Sequence, residues 1–117
     1  MGDVRLTPER SANIIAGSQT AAGAYPASPA HHVYRYGWLR DGSWCAHAMD
    51  RAGRRDSAAA WHRWVARVLL RHEHRIAEAL EAVQNGTVNG RVMLPARFTL
   101  DGDEEPPGEE QWPNFSA

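Results

Sequence analysis

The sequence predicts an all-α chain of about three helices joined by long loops. Three observations carry that reading. Thr7-Pro8-Glu9 has the order of a helix start, with a hydroxyl cap, a proline at the first helical position and then an acid. Apolar residues recur at helical spacing from Trp61 to Val83. Residues 18–33 are so rich in Gly, Ala, Ser and Pro that no long element fits there.

The first helix runs weakly through Ile14 and Ile15 and should stop near Gly17. An irregular loop follows, with Pro26 and Pro29 blocking longer elements. Asp41 is placed to cap a second helix, on which Trp44, Cys45, Ala48, Met49 and Ala52 would form one apolar face; Gly53 ends it. The third helix spans about Asp56 to Gln84. Trp61, Trp64, Val65, Val68, Leu69, Ile76, Ala79, Leu80 and Val83 mark its stripe. That is long for a globular helix, and the charged block Arg71-His72-Glu73-His74-Arg75 is the place for a kink. Asn85-Gly86 closes it, and both tryptophans of the stripe read as core.

Beyond residue 87, Val92, Leu94, Phe98 and Leu100 suit short extended pieces, and the run from Asp101 to Pro107 reads as a solvated acidic turn. Two good amphipathic helices and a weak one must bury their stripes against something. The last third supplies few apolar residues for that purpose, so the chain reads as a slice of a larger helical array with faces left uncovered.

Composition narrows the function. The 117 residues suffice for one small domain, and a formal net charge of −1 disfavours nucleic acid and anionic membranes as partners. All basic residues are Arg and none is Lys; with the many alanines this is the mark of GC-rich, bacterial coding. A single cysteine, Cys45, excludes an internal disulfide and reads as a small apolar side chain rather than a nucleophile. No apolar run approaches the ~20 residues of a membrane span, and the first residues lack a signal-peptide core, so a cytoplasmic location is expected.

The densest chemistry lies in Tyr34-Arg35-Tyr36-Gly37-Trp38-Leu39-Arg40-Asp41. Aromatic faces suit the C–H faces of a pyranose, and Arg beside Asp offers donors next to acceptors for its hydroxyls. The same residues have a plainer reading: Tyr34, Tyr36 and Trp38 alternate as in a half-buried strand, and Asp41 serves as a helix cap. Other constellations fail on spacing. His72 and His74 stand two apart, which turns them to different sides of a helix, and Asp101 to Glu105 lacks calcium-loop spacing. No phosphate loop or nucleophile elbow is present, and no metal or cofactor is expected.

Three segments resemble glycoside hydrolase family 15, the group of glucoamylases, glucodextranases and related trehalases. They are Gly23-Ala24-Tyr25-Pro26-Ala27-Ser28-Pro29; the stretch from Tyr34 to Gly42, which is similar to a Y-x-x-x-W-x-R-D signature; and Leu94-Pro95-Ala96-Arg97-Phe98 with the Leu100-Asp101-Gly102 turn, leading to Gln111-Trp112-Pro113-Asn114-Phe115. The resemblance implies the first few helices of an (α/α)6, six-hairpin barrel, with residues 1–117 forming part of its catalytic domain. It implies that Arg40 and Asp41 bind hydroxyls of a terminal glucose, that Tyr34 and Trp38 form the aromatic wall and that Trp112 packs near the scissile bond. It implies an α-glucoside or oligosaccharide substrate for the parent enzyme.

Ser116-Ala117 depart from the family's Gln after Phe, which reads as a truncated or frameshifted frame. The family's two catalytic glutamates come after that block, so no catalytic residue is assigned here, and Glu9, Glu73, Glu78 and Glu81 do not resemble those positions. The implied activity is inverting hydrolysis that this chain alone lacks. The alternative is a small non-catalytic helical protein that binds a partner through the stripe from Trp61 to Val83.

Overall fold

A computed structural model describes residues 7–27, 36–89 and 93–104 of the chain. The first helix, α1, spans Pro8–Ser18, and the Thr7 hydroxyl accepts from the Arg10 N–H at 3.1 Å. The expected cap is therefore in place, with Pro8 at the position where a missing N–H costs nothing.

After the loop, strand β1 (Tyr36–Trp38) runs directly into helix α2 (Leu39–Arg51). Helix α3 covers Arg55–Arg71 and helix α4 covers Glu73–Asn85. The expected kink is a full break at His72, so the long third helix is two and the described residues hold four. Strand β2 (Arg97–Thr99) returns to pair antiparallel with β1, placing Tyr36 opposite Thr99, Gly37 opposite Phe98 and Trp38 opposite Arg97. Pro26 adds an isolated bridge to Gly37 on the same small sheet. The expected extended pieces thus include a real strand at Phe98, and the alternation of Tyr36 and Trp38 is that of a strand. Val92 lies outside the described residues.

The core is aromatic. Trp61 and Trp64 stack with ring centroids 5.0 Å apart, and Tyr25 adds a third ring 5.6 Å from Trp61. Gly37 and Gly42 make room for this pair. A Cβ on Gly37 would overlap the Trp64 ring, and one on Gly42 would overlap the Trp61 ring. The Trp64 indole N–H donates to the Leu100 carbonyl at 3.0 Å, which fastens α3 to the chain just past β2. Tyr25 donates to the Ser57 hydroxyl at 2.5 Å, and Ser57 donates to Gln19 Oε1 at 2.7 Å, which ties the loop to the start of α3.

Two expectations are corrected by this packing. On α2 the buried residues are Gly42, Ala46 and Met49, with Cys45 partly buried beside them. Trp44 is 69% exposed, and Ala48 and Ala52 are exposed as well. The Trp61 ring needs small residues opposite it, so the face with Gly42 turns inward and the larger indole turns out. The acidic turn is also more than solvated. Arg71 Nη1 donates to the Asp101 carbonyl at 2.8 Å and to Asp103 Oδ1 at 3.0 Å, and Arg75 Nη1 grips Glu104 Oε1 at 2.7 Å. His72 Nε2 lies 2.8 Å from the Gly102 carbonyl, and its ring packs on Phe98. The charged block that breaks the helix also holds this turn.

Gly53 follows α2 at φ 81°. The Arg54 N–H reaches the Met49 carbonyl at 2.8 Å and the Gly53 N–H reaches that of Asp50 at 3.1 Å, the paired bonds of a left-handed helix terminus. Gly86 closes α4 in the same conformation. The expected uncovered faces are present, with Leu70, Leu80 and Val83 exposed on α3 and α4.

Gly42→Ala tests the tryptophan seat. The methyl group gains up to ~1 kcal/mol of helix propensity, but overpacking against Trp61 costs roughly 1–3 kcal/mol. The expected outcome in urea unfolding is a net loss of stability, where Gly17→Ala, solvent-facing on α1, would show a gain.

Candidate functional site

The aromatic stretch makes a strand-to-helix junction. Three residues of β1 alternate: Gly37 faces Trp64, while Tyr36 and Trp38 share the other face. Trp38 occupies the cap position of α2, with no side-chain cap bond, and the Leu39 N–H bonds the Ala96 carbonyl at 3.2 Å instead. Asp41 is therefore not the cap. The helix begins two residues before it, and its first N–H finds a partner in the Ala96 carbonyl, just before β2.

This frees the Asp41 carboxylate for other contacts. It sits in the first turn, where the helix dipole favours an anion. Arg40 Nε lies 3.4 Å from Asp41 Oδ1, at the long limit of a hydrogen bond, and the two side chains are 84% and 48% exposed. An ion pair this open contributes little to stability. It presents donors and acceptors to solvent, in the first turn of the helix that follows the half-buried Trp38.

The structure thus gathers Trp38, Arg40 and Asp41 at one junction. Tyr34 and Trp112, the other expected contacts, lie outside the described residues. Two neighbours were not among the expected contacts. Tyr36 shares the face of Trp38, and Arg97 lies across the strand pair, its guanidinium carbon 4.2 Å from the Tyr36 ring centroid and 5.2 Å from that of Trp38. The alternation of Tyr36 with Trp38 carried a signal for the first. Nothing local marked the second, because its partners come from a strand far away in sequence.

Other chemistry-bearing residues take structural positions. His72 is buried against Phe98 while His74 is exposed, as their spacing required. Burial pushes the Cys45 thiol above its ordinary pKa, and the Asp41 carboxylate one turn earlier adds to the rise. That thiol is a poor nucleophile at neutral pH.

The family model described as "Glycosyl hydrolases family 15" matches residues 10–103. Isomaltose glucohydrolase of Kribbella flavida is 43% identical over 106 residues, covering 89% of this chain and 27% of that protein. A solved wild-type glycosidase and a variant of a glycosidase solved in complex with glucose each superpose with a TM-score of 0.77 at 42% identity, covering 85% of this chain and 27% of theirs. The chain thus spans about 27% of the length of these relatives.

The Cys45 thiol reports on Asp41. Asp41→Asn removes the charge that raises the thiol pKa, so the pKa moves down and more thiolate forms at a fixed alkaline pH. Alkylation of Cys45 near pH 8.5 is expected to speed up, with melting little changed; an unchanged rate would place the carboxylate away from the thiol.

Proposed function

Because the chain belongs to glycosyl hydrolase family 15, we propose that Trp38, Arg40 and Asp41 form part of a subsite for the terminal glucose of an α-glucoside. The observation that carries this reading is the open Arg40–Asp41 pair in the first turn of α2, directly after Trp38, at a junction where neither charged side chain is used to cap the helix. A pyranose stacks its C–H face on an indole and shares its hydroxyls between carboxylate and guanidinium. Tyr34 and Trp112 extend the aromatic wall in the same reading.

The activity of the whole enzyme is inverting hydrolysis, which needs an acid and a base carboxyl roughly 6.5–9.5 Å apart. In this reading both belong to parts of the family fold beyond the matched segment, and these residues bind and orient the sugar. Isomaltose is the first substrate to test, from the name of the Kribbella flavida relative. The isolated 117 residues are expected to release no glucose from maltose, isomaltose or trehalose; clear turnover by a purified sample would contradict the division of roles.

A second reading, a helical interaction module, draws on the exposed Leu70, Leu80 and Val83. In the first reading the remaining helices of a barrel cover that face. A chimera in which residues 10–103 replace the matching segment of the Kribbella flavida enzyme separates the two. Charge-assisted bonds to sugar contribute roughly 1.5–3 kcal/mol. Asp41→Asn in an active chimera is therefore expected to lower kcat/KM by about 10- to 100-fold at constant Tm, with part of the loss in kcat if the bonds tighten in the transition state. Unchanged kinetics would end the sugar assignment and leave the interaction module as the better account.

A further inference from the structure

Arg97 is the most buried charged side chain among the described residues, at 2% exposure. Strand register sets it opposite Trp38, so it lies on the sheet face that also carries Tyr36, while its neighbour Phe98 points into the core opposite Gly37. Removing a guanidinium from water carries a large cost that an apolar side chain of similar volume would avoid. Two aromatic faces offset part of it, because a desolvated cation over a ring is strongly attracted to the ring quadrupole. The guanidinium is planar, so the contact constrains ring orientation as well as position.

The location gives this contact a consequence for the site. Trp38 is the last residue before α2, and the first N–H of that helix, on Leu39, bonds the carbonyl of Ala96, the residue just before Arg97. Arg97 and Ala96 therefore hold two successive residues at the point where the strand becomes the helix that carries Arg40 and Asp41. Resting on the glucose-subsite reading above, we infer that Arg97 is a positioning residue: it touches no sugar, and its guanidinium fixes the planes of Tyr36 and Trp38 so that the indole and the Arg40–Asp41 pair meet one glucose ring together.

The test uses the indole N–H resonances of the five tryptophans in the 117-residue chain, and glucoside kinetics in the active chimera. Arg97→Met keeps the stem and removes charge and plane; Arg97→Lys keeps charge without the plane. Arg97→Met is expected to move the Trp38 resonance while those of Trp61 and Trp64 stay in place. In the chimera it should raise KM about tenfold, a change of ~1.4 kcal/mol, with Arg97→Lys recovering only part of the loss. If Arg97→Met does not fold, Arg97→Lys carries the test: a displaced Trp38 resonance with raised KM supports the inference, and wild-type values overturn it. A Trp38 resonance that stays put in both variants, or a shift shared equally by all tryptophans, would also overturn it. An active chimera whose KM is unaffected by Arg97→Met but raised by Asp41→Asn overturns this inference alone. An active chimera indifferent to Asp41→Asn overturns the subsite reading itself.

Discussion

The stacked pair Trp61 and Trp64 is the contact from which the rest of the arrangement follows. Each buried indole removes roughly 150–250 Å² from water, an upper bound of about 4–6 kcal/mol at ~25 cal/mol/Å². Side chains of that size fit only where the opposing backbone comes close, and Gly42 and Gly37 provide that approach on α2 and β1. Once the two glycines are committed to the indoles, the orientation of α2 is set. Gly42, Ala46 and Met49 face α3, and Asp41, one residue from Gly42, is left outside. The same Trp64 indole bonds the Leu100 carbonyl, which brings β2 to the side of β1. Gly37 and Gly42 are thus structural, whereas Arg40 and Asp41 are left to face solvent.

Capping at the junction has the same origin. A helix start needs partners for its first N–H groups. At α1 the sequence supplies one locally, through Thr7. At α2 the Ala96 carbonyl does it from the residue before β2, and Asp41 is not used as the cap. A carboxylate with no backbone to satisfy, beside an arginine in an open pair, is suited to hydroxyl recognition in a way that a capping aspartate is not.

What was legible in the sequence and what was not divides along this line of local against distant causes. Thr7-Pro8-Glu9 and the left-handed glycines Gly53 and Gly86 act within a turn of their own residues and appear where the pattern placed them, and the charged block that suggested a kink holds a full break at His72. The inward face of α2 depended on the size of Trp61 across the interface, so the apolar count that favoured Trp44 misled. Arg97 gave no local sign because its partners, Tyr36 and Trp38, meet it only through strand pairing. The acidic turn looked solvated for the same reason: Arg71 and Arg75 reach it from another element. The family resemblance was carried by short segments at the same junction, and the match over residues 10–103 spans them up to the Asp101-Gly102 turn.

The central claim is that a glucose ring meets Trp38 and Asp41 together at the start of α2. A crystal structure of the chimera soaked in glucose examines it directly. The account predicts the sugar's C–H face on the Trp38 indole and at least one hydroxyl within about 2.5–3.0 Å of an Asp41 carboxylate oxygen. A glucose bound elsewhere, or one bound at the junction with Asp41 and Arg40 both beyond hydrogen-bond reach, would contradict it.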